Sequence, residues 1–201
     1  MSLRIVISAI FLPTAMALFA TSGWAQSTKS GESIRPLPRE LALTYNWARS
    51  NTPPGGCGCF SLNGASIQLA WPVHNSSFAL TANLAVVAQP NALFAGNSLT
   101  LGTLLGGAQF RPFKTRHSWQ PFAEILVGGS RASGKMLGSS GSADGADLAF
   151  AAEAGGGLDL RVSHRWLWRV VQVDYMADMI NNGSNNRQNI LRVNSGLALR
   201  F

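Results

Sequence analysis

The chain has 201 residues, room for one good-sized domain, and only 12% of them are charged, about half the share usual in soluble domains. Its formal charge is +7, but just three of sixteen basic residues are lysines (Lys29, Lys114, Lys135) and no basic tract occurs. That argues against nucleic acid as a partner and leaves anionic lipid headgroups as the better match, on a surface too poor in charge to face water everywhere.

The N-terminus begins "MSLR", continues with the apolar "IVISAIFLPTAMALFA", and passes into "TSGWAQ". Gly23 and Ala25 stand three places and one place before the expected cut, so residues 1–25 read as a secretory signal peptide. Pro13 and the Gly-x-Ala site favour cleavage over a retained anchor. The polar, Pro-bearing "QSTKSGESIRPLP" reads as a flexible leader over 26–38, leaving 39–201 as the domain. No later apolar run approaches the ~20 residues of a membrane-spanning helix.

From Glu40 onward the chain alternates with period two, the pattern of strands. The first stretch sets Leu41, Leu43, Tyr45 and Trp47 against Glu40, Ala42, Thr44 and Asn46. The second, Phe60 to Val73, sets Ile67, Leu69 and Trp71 against Ser66, Gln68 and Ala70; the third sets Phe78, Leu80, Leu84 and Val86 against Thr81 and Asn83. The fourth, Leu99 to Arg111, shows Leu104, Gly106, Ala108 and Phe110 opposite Thr103, Gln109 and Arg111. The fifth, Pro121 to Gly129, alternates Ala123, Ile125 and Val127 with Glu124. The sixth, from Phe150, opposes Ala154, Leu158 and Leu160 to Glu153, Asp159 and Arg161. The seventh slips phase between Trp166–Trp168–Val170 and Val171–Val173–Tyr175. One extra residue, a β-bulge, restores a single apolar face and groups Arg169, Gln172 and Asp174 on the other. The eighth is "NILRVNSGLALRF". The predicted fold class is therefore all-β, an eight-stranded antiparallel up-and-down barrel. Its odd-numbered connections are long or rich in Gly, Pro and Asn; the second and sixth are tight, and the fourth is of middling length.

Alternation fits a soluble barrel with an apolar core as well as a membrane barrel with an apolar exterior, and the polar face separates them. It carries Glu40, Glu124, Glu153, Asp159 and Asp174 together with Arg111, Arg161, Arg169, Arg192 and Arg200, and no strand contains a lysine. Arginine forks pair with carboxylates in confined space, and balanced charge suits an enclosed lumen, where a lone ion is costly. Eight strands leave room only for side chains, so a plugged interior is expected rather than a pore. Aromatics group at both strand ends: Trp71, Phe78, Phe110, Trp119, Trp166, Trp168 and Phe201 at the short-turn end; Tyr45, Trp47, Phe60, Phe150 and Tyr175 at the other. Two such girdles mark lipid–water interfaces. Backbone polar groups in lipid need partners within the protein, so the last strand is expected to close on the first.

With these features the sequence resembles the small eight-stranded outer-membrane barrels of the OmpA/OmpX type. "NILRVNSGLALRF" is similar to their C-terminal strand, which implies recognition of Phe201 by the barrel-assembly machinery. "SNTPPGGCGCFSLNG" and "VQVDY" resemble acidobacterial members of the group. A chain ending at Phe201 is expected to lack the peptidoglycan-binding domain that follows the barrel in some relatives. Cys57 and Cys59 in "GGCGCF" form a possible disulfide in an oxidising compartment, closing a small strained ring, with free thiols as the alternative. They are too few for a metal site.

Some small barrels that this chain resembles are lipid-modifying enzymes with His and Ser facing the outer leaflet. His74, His117 and His164 fall in the short turns, at the opposite end, and Gly155–Gly157 lie mid-strand rather than in a phosphate loop. No catalytic residue, metal or cofactor is expected. The reading is a non-enzymatic outer-membrane barrel touching membrane lipid and an unidentified loop ligand. A periplasmic lipocalin-like carrier is the alternative, and a lipid hydrolase ranks third.

Overall fold

Period-two patterning becomes eight strands: β1 (Glu40–Asn51), β2 (Cys59–Pro72), β3 (Phe78–Gln89), β4 (Leu99–Phe110), β5 (Trp119–Gly134), β6 (Ala146–Arg161), β7 (Trp166–Asp178) and β8 (Gln188–Arg200). The structure is a computed structural model that describes residues 38–51, 59–73, 76–89, 99–112, 117–134, 146–180 and 187–201. The expected signal peptide and leader fall outside these, apart from Pro38, as do Cys57, His74 and most of the long connections.

Each strand pairs antiparallel with its sequence neighbour, and β1 pairs with β8 to close the barrel. The closing seam runs from Glu40 opposite Arg200 to Ser50 opposite Ile190. Every strand thus has two neighbours and no edge remains, the condition for a sheet surrounded by lipid. Strand β5 extends beyond the expected span at both ends and β6 begins four residues before Phe150, because neighbouring strands supply hydrogen-bond partners there.

The alternation resolves as an apolar exterior. Leu104 is 63% exposed and Ile125 67%, and Leu43, Leu80, Leu84, Val127 and Leu197 share that outer face. In β7 the slip of phase is a bulge: Leu158 pairs with Val171 and Asp159 with Arg169, leaving Val170 over, and against β8 the register shifts between Arg169 and Gln172. Ser195 Oγ donates to the Arg169 carbonyl at 3.1 Å at this irregularity. Trp166, Trp168, Val171, Val173 and Tyr175 consequently all face outward.

Inward glycines bring strands close. A Cβ on Gly128 would stand 2.1 Å from the Leu104 carbonyl oxygen, and one on Gly155 would stand 2.1 Å from Asp174 Oδ1. Neither position has room for a side chain, which gives physical content to "VGGSR" and the Gly155–Gly157 run.

The interior departs from the expectation of a lumen filled by charge. Its short-turn half is polar. Towards the long connections it is apolar: Leu62, Val87, Leu101, Leu105, Leu126, Met176 and Ile190 pack together with Phe60. Phe60, expected in the outer girdle, is turned inward because its register partner across β1 is the inward Ser50.

Candidate functional site

Successive strands project inward side chains at matched heights, and these form one connected polar assembly. Glu40 of β1 meets Arg200 of β8 across the closing seam, Arg200 Nε donating to Glu40 Oε1 at 2.8 Å. Arg111 Nη2 lies 2.6 Å from Glu40 Oε2, an ion pair whose angles do not suit a hydrogen bond, and 2.9 Å from Asp159 Oδ2, to which it donates. Arg169 forks onto Asp159, Nε to Oδ1 at 2.9 Å and Nη2 to Oδ2 at 3.3 Å. The order Arg200–Glu40–Arg111–Asp159–Arg169 alternates sign at every step, which is how buried ions offset the cost of leaving water.

Phe122, buried on β5, lies under two of these cations. The Arg111 guanidinium is 5.0 Å from its ring centroid and that of Arg169 is 4.4 Å away. The negative ring face adds attraction where carboxylates do not reach.

Amides carry the network onward. Arg169 Nη1 donates to Gln172 Oε1 at 2.8 Å and to Gln68 Oε1. Glu124 accepts from Gln68 (2.6 Å), Gln109 (3.0 Å) and Gln172 (2.8 Å). Asp174 Oδ2 accepts from Gln172 at 2.8 Å and from Asn194 at 2.7 Å. Further along, Arg192 Nη1 donates to Glu153 at 2.6 Å, its Nη2 to Thr103 at 3.2 Å, and Met176 Sδ marks the start of the apolar half at 4.0 Å. Carboxylate oxygens of Glu124, Glu153 and Asp174 lie within 4.8 Å of one another, a trio that has the spacing to hold a cation. Its present neighbours are amide N–H groups and Arg192.

Nine of the ten residues expected in this cluster are buried together: Glu40, Glu124, Glu153, Asp159, Asp174, Arg111, Arg169, Arg192 and Arg200. Arg161 is the exception. It has the inward phase, opposite the buried Leu167, but ends β6 at the rim, where its side chain is exposed. Asp178, buried on β7 and accepting from Ser130 Oγ at 2.6 Å, also belongs to the interior, although the sequence pattern does not single it out. Among the described residues the interior holds six acids and four arginines, rather than the equal numbers expected. Gln120 and Phe122 join the interior too. Both share the phase of Glu124, and starting the fifth strand at Pro121 hides them in the sequence.

Outside, Tyr45, Trp71, Phe78, Trp166, Trp168, Tyr175 and Phe201 are exposed and Trp47 is half-buried. Phe78 and Phe110 pair with centroids 5.0 Å apart. Cys59 opens β2, exposed, with no sulfur partner among the described residues; the expected bridge rests on Cys57 and lies beyond them. His117 and His164 are exposed at the short-turn end, where the His117 carbonyl accepts from Gln120 Nε2 at 3.0 Å.

Solved structures with this architecture exist at low sequence identity. Neisserial surface protein A aligns with a TM-score of 0.60 and 13% identity over 81% of this chain and 97% of that one. Ail, the attachment invasion locus protein of Yersinia pestis, aligns at 0.53 and 12% over 82% and 100%. Its complex with the heparin analogue sucrose octasulfate aligns at 0.52 and 11% over the same shares. No family model matches the sequence, and no curated protein does. The chain has the fold of the small eight-stranded outer-membrane barrels.

Proposed function

We propose that this protein is an integral outer-membrane barrel without catalytic activity, plugged by its own side chains, that serves the envelope as a structural or surface-interaction protein. The observation carrying this is the inside-out partition: leucines, valines and isoleucines exposed around the barrel, charges buried within. Water would reject that exterior over so continuous an area, whereas hydrocarbon accepts it. Residues 1–25 act as the export signal, β8 with Phe201 engages the assembly machinery, and the long connections reach the cell exterior, where they meet an unidentified ligand. Two proteins of like fold are named for surface and attachment roles, which supports this assignment. The ion-pair chain and the packed apolar half supply the plug. His117 and His164 stand exposed at the short-turn rim, the end opposite the long connections, which favours a non-enzymatic role.

Cell-envelope fractionation with gel migration of boiled and unboiled protein tests the proposal. Recovery with the outer membrane and a heat-dependent shift in mobility are expected. A protein recovered in the soluble periplasm would favour the carrier reading instead. Planar-bilayer recording addresses the plug: no steady conductance is expected, and sustained channels would contradict it.

A further inference from the structure

One height of the lumen gathers three carboxylates around a notch. Glu124 on β5, Gly155 on β6 and Asp174 on β7 stand level across neighbouring strands, with Glu153 two residues before the glycine. Gly155 has no side chain, and Asp174 Oδ1 occupies the space over it, 2.1 Å from where a Cβ would stand. Asp174 is thereby aimed towards both glutamates, and carboxylate oxygens of the three lie within 4.8 Å of one another.

The donors that meet this trio are mostly neutral. Glu124 accepts from the amides of Gln68, Gln109 and Gln172, and Asp174 Oδ2 from those of Gln172 and Asn194. Arg192 is engaged by Glu153 and Thr103. Among the described interior residues, the chain from Arg200 to Arg169 holds three arginines and two acids, so the remaining four acids share Arg192 alone. The interior as a whole carries six acids against four arginines, an excess of two negative charges.

Two oxygens at this level accept nothing. One is Asp174 Oδ1; the other is Asn194 Oδ1, on the same amide whose Nδ2 donates to Asp174. Asp174 is 1% exposed and Asn194 6%. A buried oxygen without a donor costs free energy unless something positive meets it. Arg192 Nε is also unpartnered, but its strand flanks Asp174 on the side away from Gly155.

We propose that this layer binds a hard divalent cation, calcium by its size, on Glu124, Glu153 and Asp174, with Asn194 Oδ1 as a neutral ligand. The donors are all oxygens, the set that calcium and magnesium take and softer metals do not prefer. Oxygens on opposite sides of a calcium ion stand about 5 Å apart, and on magnesium about 4 Å. A trio spread within 4.8 Å suits the larger ion without closing further. The ion's two charges equal the interior's excess. Because side chains fill the lumen, the ion enters while the barrel folds. The site goes beyond the surface role above and depends only on the closed barrel.

The test refolds the protein from urea into zwitterionic detergent with calcium chloride or with EDTA, removes loose ions by gel filtration, and reads metal content and the urea midpoint of unfolding. A single calcium ion per barrel is expected, left in place by equimolar magnesium, with a higher midpoint after folding in calcium than in EDTA. Asp174→Asn keeps the shape and removes a ligand charge, so calcium affinity falls by about tenfold or more. Glu124→Gln/Asp174→Asn removes two charges and unfolds at one midpoint with or without calcium. Glu40→Gln, elsewhere in the lumen, keeps the calcium. Heat-dependent gel migration certifies each variant as folded. A parent barrel that retains no calcium and has the same midpoint in both media overturns the proposal and leaves protons to neutralise these carboxylates. Calcium content unchanged by Asp174→Asn also overturns it, placing the ion on the exterior. Neither result bears on the membrane assignment.

Discussion

Arg169 is fully enclosed, forks onto Asp159, touches two glutamines and lies over Phe122. Removing this guanidinium leaves Asp159 with Arg111 alone and leaves Gln68 and Gln172 short of a buried donor, so Arg169→Leu should lower unfolding stability in micelles by about 3–5 kcal/mol. Arg161→Leu, at the exposed rim, should stay within about 0.5 kcal/mol of the parent. Urea titrations read by gel mobility distinguish the two, and equal losses would deny the enclosed character of the network. A second pair of variants concerns space rather than charge. Gly128→Ala presses a methyl against the Leu104 carbonyl and should cost about 1–3 kcal/mol by overpacking, whereas Gly102→Ala meets nothing nearer than 3.9 Å and should be tolerated. Arginine and acid positions are legible in the sequence because alternation assigns each to a face. Arg161 escapes that rule because phase gives direction but not depth, and a residue at a strand end reaches water from either face.

Among the elements, β7 is the most informative. Its bulge keeps Trp166 and Trp168 on the outer face while Arg169, Gln172 and Asp174 face inward. Deleting Val170 removes the surplus residue. The deletion variant then alternates regularly, Arg169 and Gln172 inward with Val171 between them facing out, and should still give the heat-modifiable species on refolding; loss of that species would contradict the bulge. The slip is readable from sequence, because a one-residue change of phase within an apolar run has few other remedies. Strand β4 shows the opposite limit. In "LTLGTLLGGAQF" both faces carry leucine, Leu104 outward and Leu105 inward. Apolar residues on both sides conceal which half of a lumen is dry, so the layer around Leu62, Leu126 and Ile190 emerges only from the three-dimensional packing. Leu104→Arg should cost about 2–4 kcal/mol in phospholipid, the charge then facing hydrocarbon at mid-strand.

At the scale of the whole molecule, one partition sets everything else: hydrogen bonds close into a ring, apolar side chains surround it, and inside it four arginines pair with carboxylates. Low total charge, lysine-free strands and two aromatic borders make this partition legible before any coordinates, because each reflects the solvent in which the surface must live. What the long connections contact is not legible, since their chemistry is not constrained by the pattern of the strands. The most direct measurement places nitroxide labels, one at a time, at Leu84, Leu104, Ile125 and Leu197 in a Cys57→Ser/Cys59→Ser background reconstituted in bilayers. Collision with dissolved oxygen is compared with collision with a water-soluble nickel chelate. All four labels should meet oxygen freely and the chelate scarcely at all, as side chains in hydrocarbon do. Labels that are immobile and shielded from both, on a protein that stays in solution without detergent, would contradict it.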